Sequence, residues 1–445
     1  MLVIEVRRLT SLAWPVVLGQ LGLVGMGSVD LLMIGGLGRD ATAAVGLGNT
    51  WSFSVLIVAL GAATGIDPLV TQAYGAGSAQ RAGVAASRGL LLVAALSVPV
   101  VILHLLAAPA LSALGQPGQV VPGAALYARI LSISVLPMLS FSVIRQLLQG
   151  GGSMRPAMWV VGLGNLVNVV GNLALIERHG VAGVAWSTVI VRWVMLVGLI
   201  GVGYRQLLPA LPIERIWDLR ALRRLAALAL PVGLQVGLEV WAFNAGALIA
   251  GWISPGALAA HTAAINAIAL AFMVPYGISA AAATRVGNLV GARADWRPAA
   301  RSALALGASV MVLSGLIFAL LPGGVARAYN PDPEVVALVT RILPIGAMFG
   351  LFDAVQVVSF GILRGLGDTR RPALFNVLGY WIVGLPLGTF LALGLGLGLP
   401  GVWIGLALAL ALISGLLVLR IVWHGRAWIG PAPDQGQRGR IREQG

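Results

Sequence analysis

Apolar residues come in long blocks along this chain, separated by short stretches that carry the charges and many of the prolines. A helix needs about 20 consecutive apolar residues to cross the ~30 Å hydrocarbon core of a bilayer. Twelve runs reach that length: 11–36, 43–66, 84–106, 122–148, 157–176, 181–203, 226–251, 257–283, 300–321, 336–362, 373–397 and 400–423. Continuous runs of this kind satisfy their backbone as helices, whereas barrel strands are shorter and alternate. The pattern predicts an all-α membrane protein with twelve transmembrane helices.

The pattern also repeats. Pro15 in "LAWPVVLGQ" and Pro231 in "LALPVGLQV" lie 216 apart (231 − 15). So do Gly75 and Gly291 (291 − 75), and Pro156 and Pro372 (372 − 156). Gly183 in "GVAW" and Gly401 in "GVWI" lie 218 apart (401 − 183). Six helices is an even number, so both halves enter the membrane in the same sense. The expected architecture is two six-helix lobes related by a pseudo-two-fold axis along the membrane normal, with a substrate path between them. The lobes are expected at 1–203 and 226–428. A cytoplasmic linker at 204–225 would join them, with "LPIERIWDLRALRRL" as an interfacial helix or a plain connection, and 429–445 would be a polar C-terminal tail.

Composition fits lipid as the solvent. Of 445 residues, 58% are hydrophobic and 10% charged, against the roughly 25% charged residues of a soluble domain. The net charge is +14, yet the basic residues, all of them arginine, form no patch of the kind nucleic acid requires. They cluster in alternate loops instead: Arg81 and Arg88, then Arg145 and Arg155, Arg205 to Arg224, Arg285 to Arg301, and Arg364 to Arg371. The positive-inside rule then places both termini in the cytoplasm. The segment Met1 to Thr10 is short and charged, and the first apolar run is too long for a signal peptide. With no cysteine, thiol chemistry is excluded.

Three acidic residues fall well inside spans: Asp30, Glu239 and Asp353. A charge near the bilayer centre costs at least ~2.5 kcal/mol, which makes each a candidate for function. The alternative is a buried structural pair or a protonated acid bonded to backbone. Asp67, just before Pro68, reads as a wet helix end. Asn168 and Asn172 are four apart and share a helix face. They can offer carbonyl oxygens to a cation, or they can simply bond neighbouring helices. His261 stands alone among small residues and reads as packing. No HExxH, Walker loop or GxSxG is present, so no cofactor is expected and an enzyme embedded in the membrane is the weakest alternative.

Four stretches in this order carry a resemblance: "VDLLMIGGLG", "TQAYGAG", "LAAHTAAINAIALAFMVPYGISAAAATRVGNLVG" and "FDAVQVVSFGILRGLGDTRRP". Together the chain resembles the multidrug and toxic compound extrusion (MATE) family, in particular its NorM-like branch, from about residue 10 to 425. The resemblance implies two lobes that alternate between inward and outward openings. It implies a monomer in the inner (plasma) membrane that exports cationic or amphipathic organic compounds in exchange for Na+ or H+. Carried over by residue, it implies an N-lobe cation or proton site at Asp30, Asn168, Asn172 and Thr188. It implies a C-lobe coupling site at Glu239 and Asp353, with Na+ possible there. Arg192, in "VIVRWVM", departs from the expected uncharged residue. Four after Thr188, it shares that face and is a candidate internal counter-charge to Asp30. A lipid-linked oligosaccharide flippase of the same wider superfamily is the alternative; those tend to have a basic central cavity, and the acidic spans here argue against it.

Overall fold

The computed structural model describes residues 2–210 and 216–427. Among these, twelve helices are long and apolar enough to cross a membrane. They are α1 (Leu2–Leu37), α2 (Arg39–Gly75), α3 (Ala79–Leu105), α4 (Val121–Gly150), α5 (Arg155–His179) and α6 (Val181–Ala210) in the N-lobe. The C-lobe holds α7 (Leu219–Ile253), α8 (Pro255–Gly291), α9 (Arg297–Leu320), α10 (Pro333–Leu366), α11 (Arg370–Gly394) and α12 (Leu399–Ala427). Several outrun the apolar blocks. At 1.5 Å per residue a 37-residue helix such as α8 is about 55 Å long and must extend past a ~30 Å core. Helix α1 starts at Leu2, so the charged segment before residue 11 is helical.

The linker is shorter than 204–225. Helix α6 runs on through Ala210, and Leu219 to Leu225 are the first turns of α7, capped by Asp218 on the amides of Arg220 and Ala221. Residues 211–215, within the expected interfacial helix, and the 429–445 tail lie outside the described residues.

The repeat is visible as crossed packing. Leu9 and Ala13 of α1 belong to the core of the C-lobe. Their counterparts 216 residues on, Leu225 and Ala229 of α7, belong to a core cluster of the N-lobe. Each lobe thus sends the first half of its leading helix into the other. Lipid provides no hydrophobic drive for helices to associate, so such seams depend on close backbone approach. Gly61 of α2 lies against Gly233 of α7, and Gly277 of α8 against Val17 of α1. Both members of the second contact are again offset by 216 (277 − 61 and 233 − 17). At the ends of α2 and α8 a methyl on Gly75 would overlap the Asn288 backbone, and one on Gly291 the Gln72 backbone. These reciprocal contacts place the pseudo-two-fold axis between α2 and α8.

The closest approaches between the lobes fall in the half of the molecule that carries both termini. There Glu5 of α1 accepts two hydrogen bonds from Arg285 of α8, at 2.7 and 2.9 Å. Gln72 donates to the Gly365 carbonyl at 2.9 Å. In return the Asn288 amide, in its satisfied orientation, donates to the carbonyls of Gly150 and Thr71. The molecule is sealed on this side.

Candidate functional site

The N-lobe polar residues converge on one carboxylate. Asp30 sits seven residues before the end of α1 and is buried. On α5, Asn168 and Asn172 lie one turn apart, and both donate to Asp30 Oδ1, at 2.9 and 2.7 Å. From α6, Thr188 reaches Asp30 Oδ2 at 3.3 Å, sharing its hydroxyl with the Val184 carbonyl at 3.1 Å. The α5–α6 register is fixed by Ser187, which donates to the Asn168 carbonyl. The amide oxygens of Asn168 and Asn172 are buried and have no partner. Two unsatisfied amide oxygens on the side chains that hold a carboxylate suit a cation.

Arg192 does not pair with Asp30. Its guanidinium turns to α4 and donates to Ser134 Oγ at 3.0 Å. Ser134 is fully buried and itself donates to the Leu131 carbonyl. The reason lies in the crowd around the carboxylate: three donors already occupy it. Arg192 remains near enough for its charge to act on Asp30 and on Tyr127, whose hydroxyl adjoins Thr188. Tyr127 and Ser134 are pocket residues that sequence reasoning missed. A lone tyrosine or serine in a span carries no distinguishing signal.

In the C-lobe, Glu239 of α7 and Asp353 of α10 face each other closely enough for their charges to repel. Access differs: Glu239 is half-buried, whereas Asp353 is only 5% exposed. Among the described residues neither forms an ion pair. Asn376 of α11 donates to Glu239 Oε2 at 3.4 Å and to the Gln235 carbonyl at 3.2 Å, which ties α11 to α7. Gln356, one turn after Asp353 and fully buried, adjoins Glu239 and accepts from the Tyr380 hydroxyl at 3.4 Å. Asp353 Oδ1 and Asn376 Oδ1 are buried without partners.

Helix α11 changes character at this point. It is α-helical over Arg370–Asn376 and widens to a π-helix over Val377–Gly384. π-segments recur at functional sites because the extra residue per turn re-aims side chains. Here Asn376 stands at the junction and Tyr380 inside the wide turn. Above the carboxylates, one turn away from each, Phe243 and Phe349 pack at a tilt with ring centroids 5.8 Å apart. Tyr380 lies edge-on to Phe243, and Trp403 to Phe349. His261 packs against Trp403 at 5.5 Å, in keeping with its reading as a packing residue. Asn376 and Tyr380 were not singled out from sequence, although an asparagine in "LFNVLGYW" is a signal of the same kind as Asn168.

Asp67 differs from its sequence reading. It is 6% exposed, and its Oδ2 forms an ion pair with Arg364 Nε of the other lobe at 2.9 Å. The position looks wet in one dimension because it is near a helix end; the opposite lobe covers it.

The model of the family described as MatE matches residues 15–174 and again residues 231–390, two copies exactly 216 apart (231 − 15 and 390 − 174). The chain is 34% identical to the "probable multidrug resistance protein NorM" of Mesorhizobium japonicum, covering 96% of this chain and 95% of that protein. It is 32% identical to the "multidrug resistance protein PmpM" of Pseudomonas aeruginosa, covering 87% and 84%. Among solved structures, the fold matches the eukaryotic MATE transporter AtDTX14 with a TM-score of 0.88 at 21% identity, covering 95% of this chain and 96% of that one. It also matches an outward-facing multidrug resistance MATE family transporter with a TM-score of 0.86 at 20% identity, covering 96% and 97%.

Proposed function

The chain belongs to the MatE family of multidrug efflux transporters, and from that premise we propose that it is a secondary active antiporter that exports cationic or amphipathic organic compounds in exchange for Na+ or H+. The observation that carries the reading is the pair Glu239 and Asp353, two carboxylates in the membrane interior with no basic partner among the described residues. Two such groups cannot both ionise cheaply in a low-dielectric site. They share a proton, take up a small cation, or accept a cationic drug, and those options compete for one negative charge. Competition of that kind is the physical basis of exchange.

The residues present suit a hard cation. Asp353 Oδ1 and Asn376 Oδ1 are buried oxygens without donors, and Na+ prefers oxygen ligands. When bound, the ion would neutralise the one negative charge the pair carries and raise the cost of admitting a second positive charge. Half-buried Glu239 is the group a drug in the cleft would meet, and Asp353 lies behind it. In the N-lobe, Asp30 with Asn168, Asn172 and Thr188 forms a second candidate site, beside which Arg192 supplies a fixed positive charge.

Efflux from proteoliposomes with and without an imposed Na+ or H+ gradient tests the reading. Glu239→Gln and Asp353→Asn should each abolish gradient-driven efflux in folded protein. Normal efflux with normal ion dependence in both variants would make the pair structural and remove the mechanism. The orientation has its own test, because the arginine asymmetry supports cytoplasmic termini in a plasma-membrane protein. Single cysteines at exposed Gln119 and Arg220 of this cysteine-free chain should label from opposite sides of the membrane.

A further inference from the structure

Helix α2 breaks at Gly65 and resumes at Asp67, so this carboxylate lies at a bend on the lobe interface. Its partner across the interface, Arg364, belongs to α10. The contact is close, yet Arg364 Nε is not aligned for a hydrogen bond to it. A second arginine waits on the near side. Arg145 of α4 is in the same lobe as Asp67, its guanidinium stands 5.9 Å over the Phe141 ring, and its Nε is buried with no partner. The charges of both arginines act on Asp67.

The two arginines differ in what they move with. Arg145 is carried by α4, which packs on α2 within the N-lobe, so its distance to Asp67 survives any rigid-body motion of the lobes. Arg364 is carried by the C-lobe and leaves when the lobes part on the side of the termini. A buried carboxylate left without its partner is strongly destabilising. The chain has therefore placed a replacement within the moving body.

We propose that Asp67 is a partner-exchange switch for alternation: it pairs with Arg364 while the side bearing the termini is sealed, and passes to Arg145 when that side opens. Arg364 stabilises the sealed state, and Arg145 the open one. The exchange keeps Asp67 compensated throughout and lowers the cost of breaking the seal. It depends on the two-lobed fold alone and not on the identity of the coupling ion.

Spin labels read the switch directly. Exposed Gln80 of the N-lobe and Ala292 of the C-lobe, each replaced by cysteine, straddle the seal in a chain without native cysteine. Double electron–electron resonance in nanodiscs then gives the ratio of sealed to open molecules. Arg364→Gln should shift that ratio toward open, and Arg145→Gln toward sealed, each by on the order of tenfold or more. In an Asp67→Asn background both effects should shrink to less than about twofold, a readout that survives if one single variant folds poorly. A structural role for Arg145 alone predicts no shift or a loss of folded protein. If Arg145→Gln leaves the ratio unchanged, or moves it in the same direction as Arg364→Gln, the switch is wrong.

Discussion

Asn172 donates its side-chain amide to Asp30 Oδ1 at 2.7 Å, joining α5 to α1 through a buried carboxylate. Asn168, one turn away, bonds the same oxygen at 2.9 Å. A hydrogen bond to a buried charge is worth about 1.5–3 kcal/mol. Asn172→Ala should lower unfolding stability in detergent by that amount. Most of the loss should disappear when Asp30→Asn is introduced alongside, because the charge that needed the donor is gone. Equal losses in the two backgrounds would mean that Asn172 acts by packing.

Arg192 is expected to depend on Ser134. With Ser134 Oγ at 3.0 Å as its hydrogen-bond partner, Ser134→Ala should destabilise the protein by about 1–2 kcal/mol. In an Arg192→Leu background the same substitution should cost less than about 0.5 kcal/mol, since nothing charged is then left unpaired. A full cost in both backgrounds would show that the bond contributes nothing.

Gly75 and Gly291 should behave as a symmetric pair. Each meets the backbone of the opposite lobe, where a methyl group has no room and a backbone cannot rotate aside. Gly75→Ala and Gly291→Ala should therefore prevent tight sealing, and by similar amounts. The label pair at Gln80 and Ala292 would report longer distances in both. An effect confined to one of them would contradict reciprocal packing about the axis.

Outside the membrane, Asp368 links the α10–α11 loop to the end of α12, bonding Arg420 at 2.6 Å and His424 at 2.9 Å. Burial pushes its carboxyl up, but the bonds from His424 and Arg420 outweigh that and hold it below the ordinary value. A carboxylate with a depressed folded pKa adds stability above its unfolded value, near 3.9, and loses it as pH falls through the folded one. Asp368→Asn should thus lower the melting temperature near neutral pH. The difference from the parent should narrow progressively below about pH 4. A difference independent of pH across that range would rule out the charge as its source.

Much of the architecture was legible in the chain because it follows from one-dimensional quantities. Lipid demands about 20 apolar residues per crossing, so twelve crossings can be counted, and duplication leaves a fixed offset that glycine and proline landmarks preserve. At Asp30 the residues alone showed an acid inside one span and, separately, Asn168 and Asn172 on one face of another; that these and Thr188 gather at one site was what the family resemblance implied.

What the sequence could not decide is which groups meet across helices. Periodicity puts Arg192 on the face of Thr188, yet three donors already fill the Asp30 carboxylate, and the guanidinium donates to Ser134 instead. Asp67 reads as a wet end because nothing local reveals that Arg364, 297 residues later (364 − 67), will cover it. The contact of Asn376 with Glu239, at the start of the π-segment, depends on how α11 fits against α7 and α12. Hydropathy and repeats are sums over neighbours in sequence, and the chain determines them by itself. Partner choice among buried polar groups is a competition among neighbours in space, and only the packed lobes decide it.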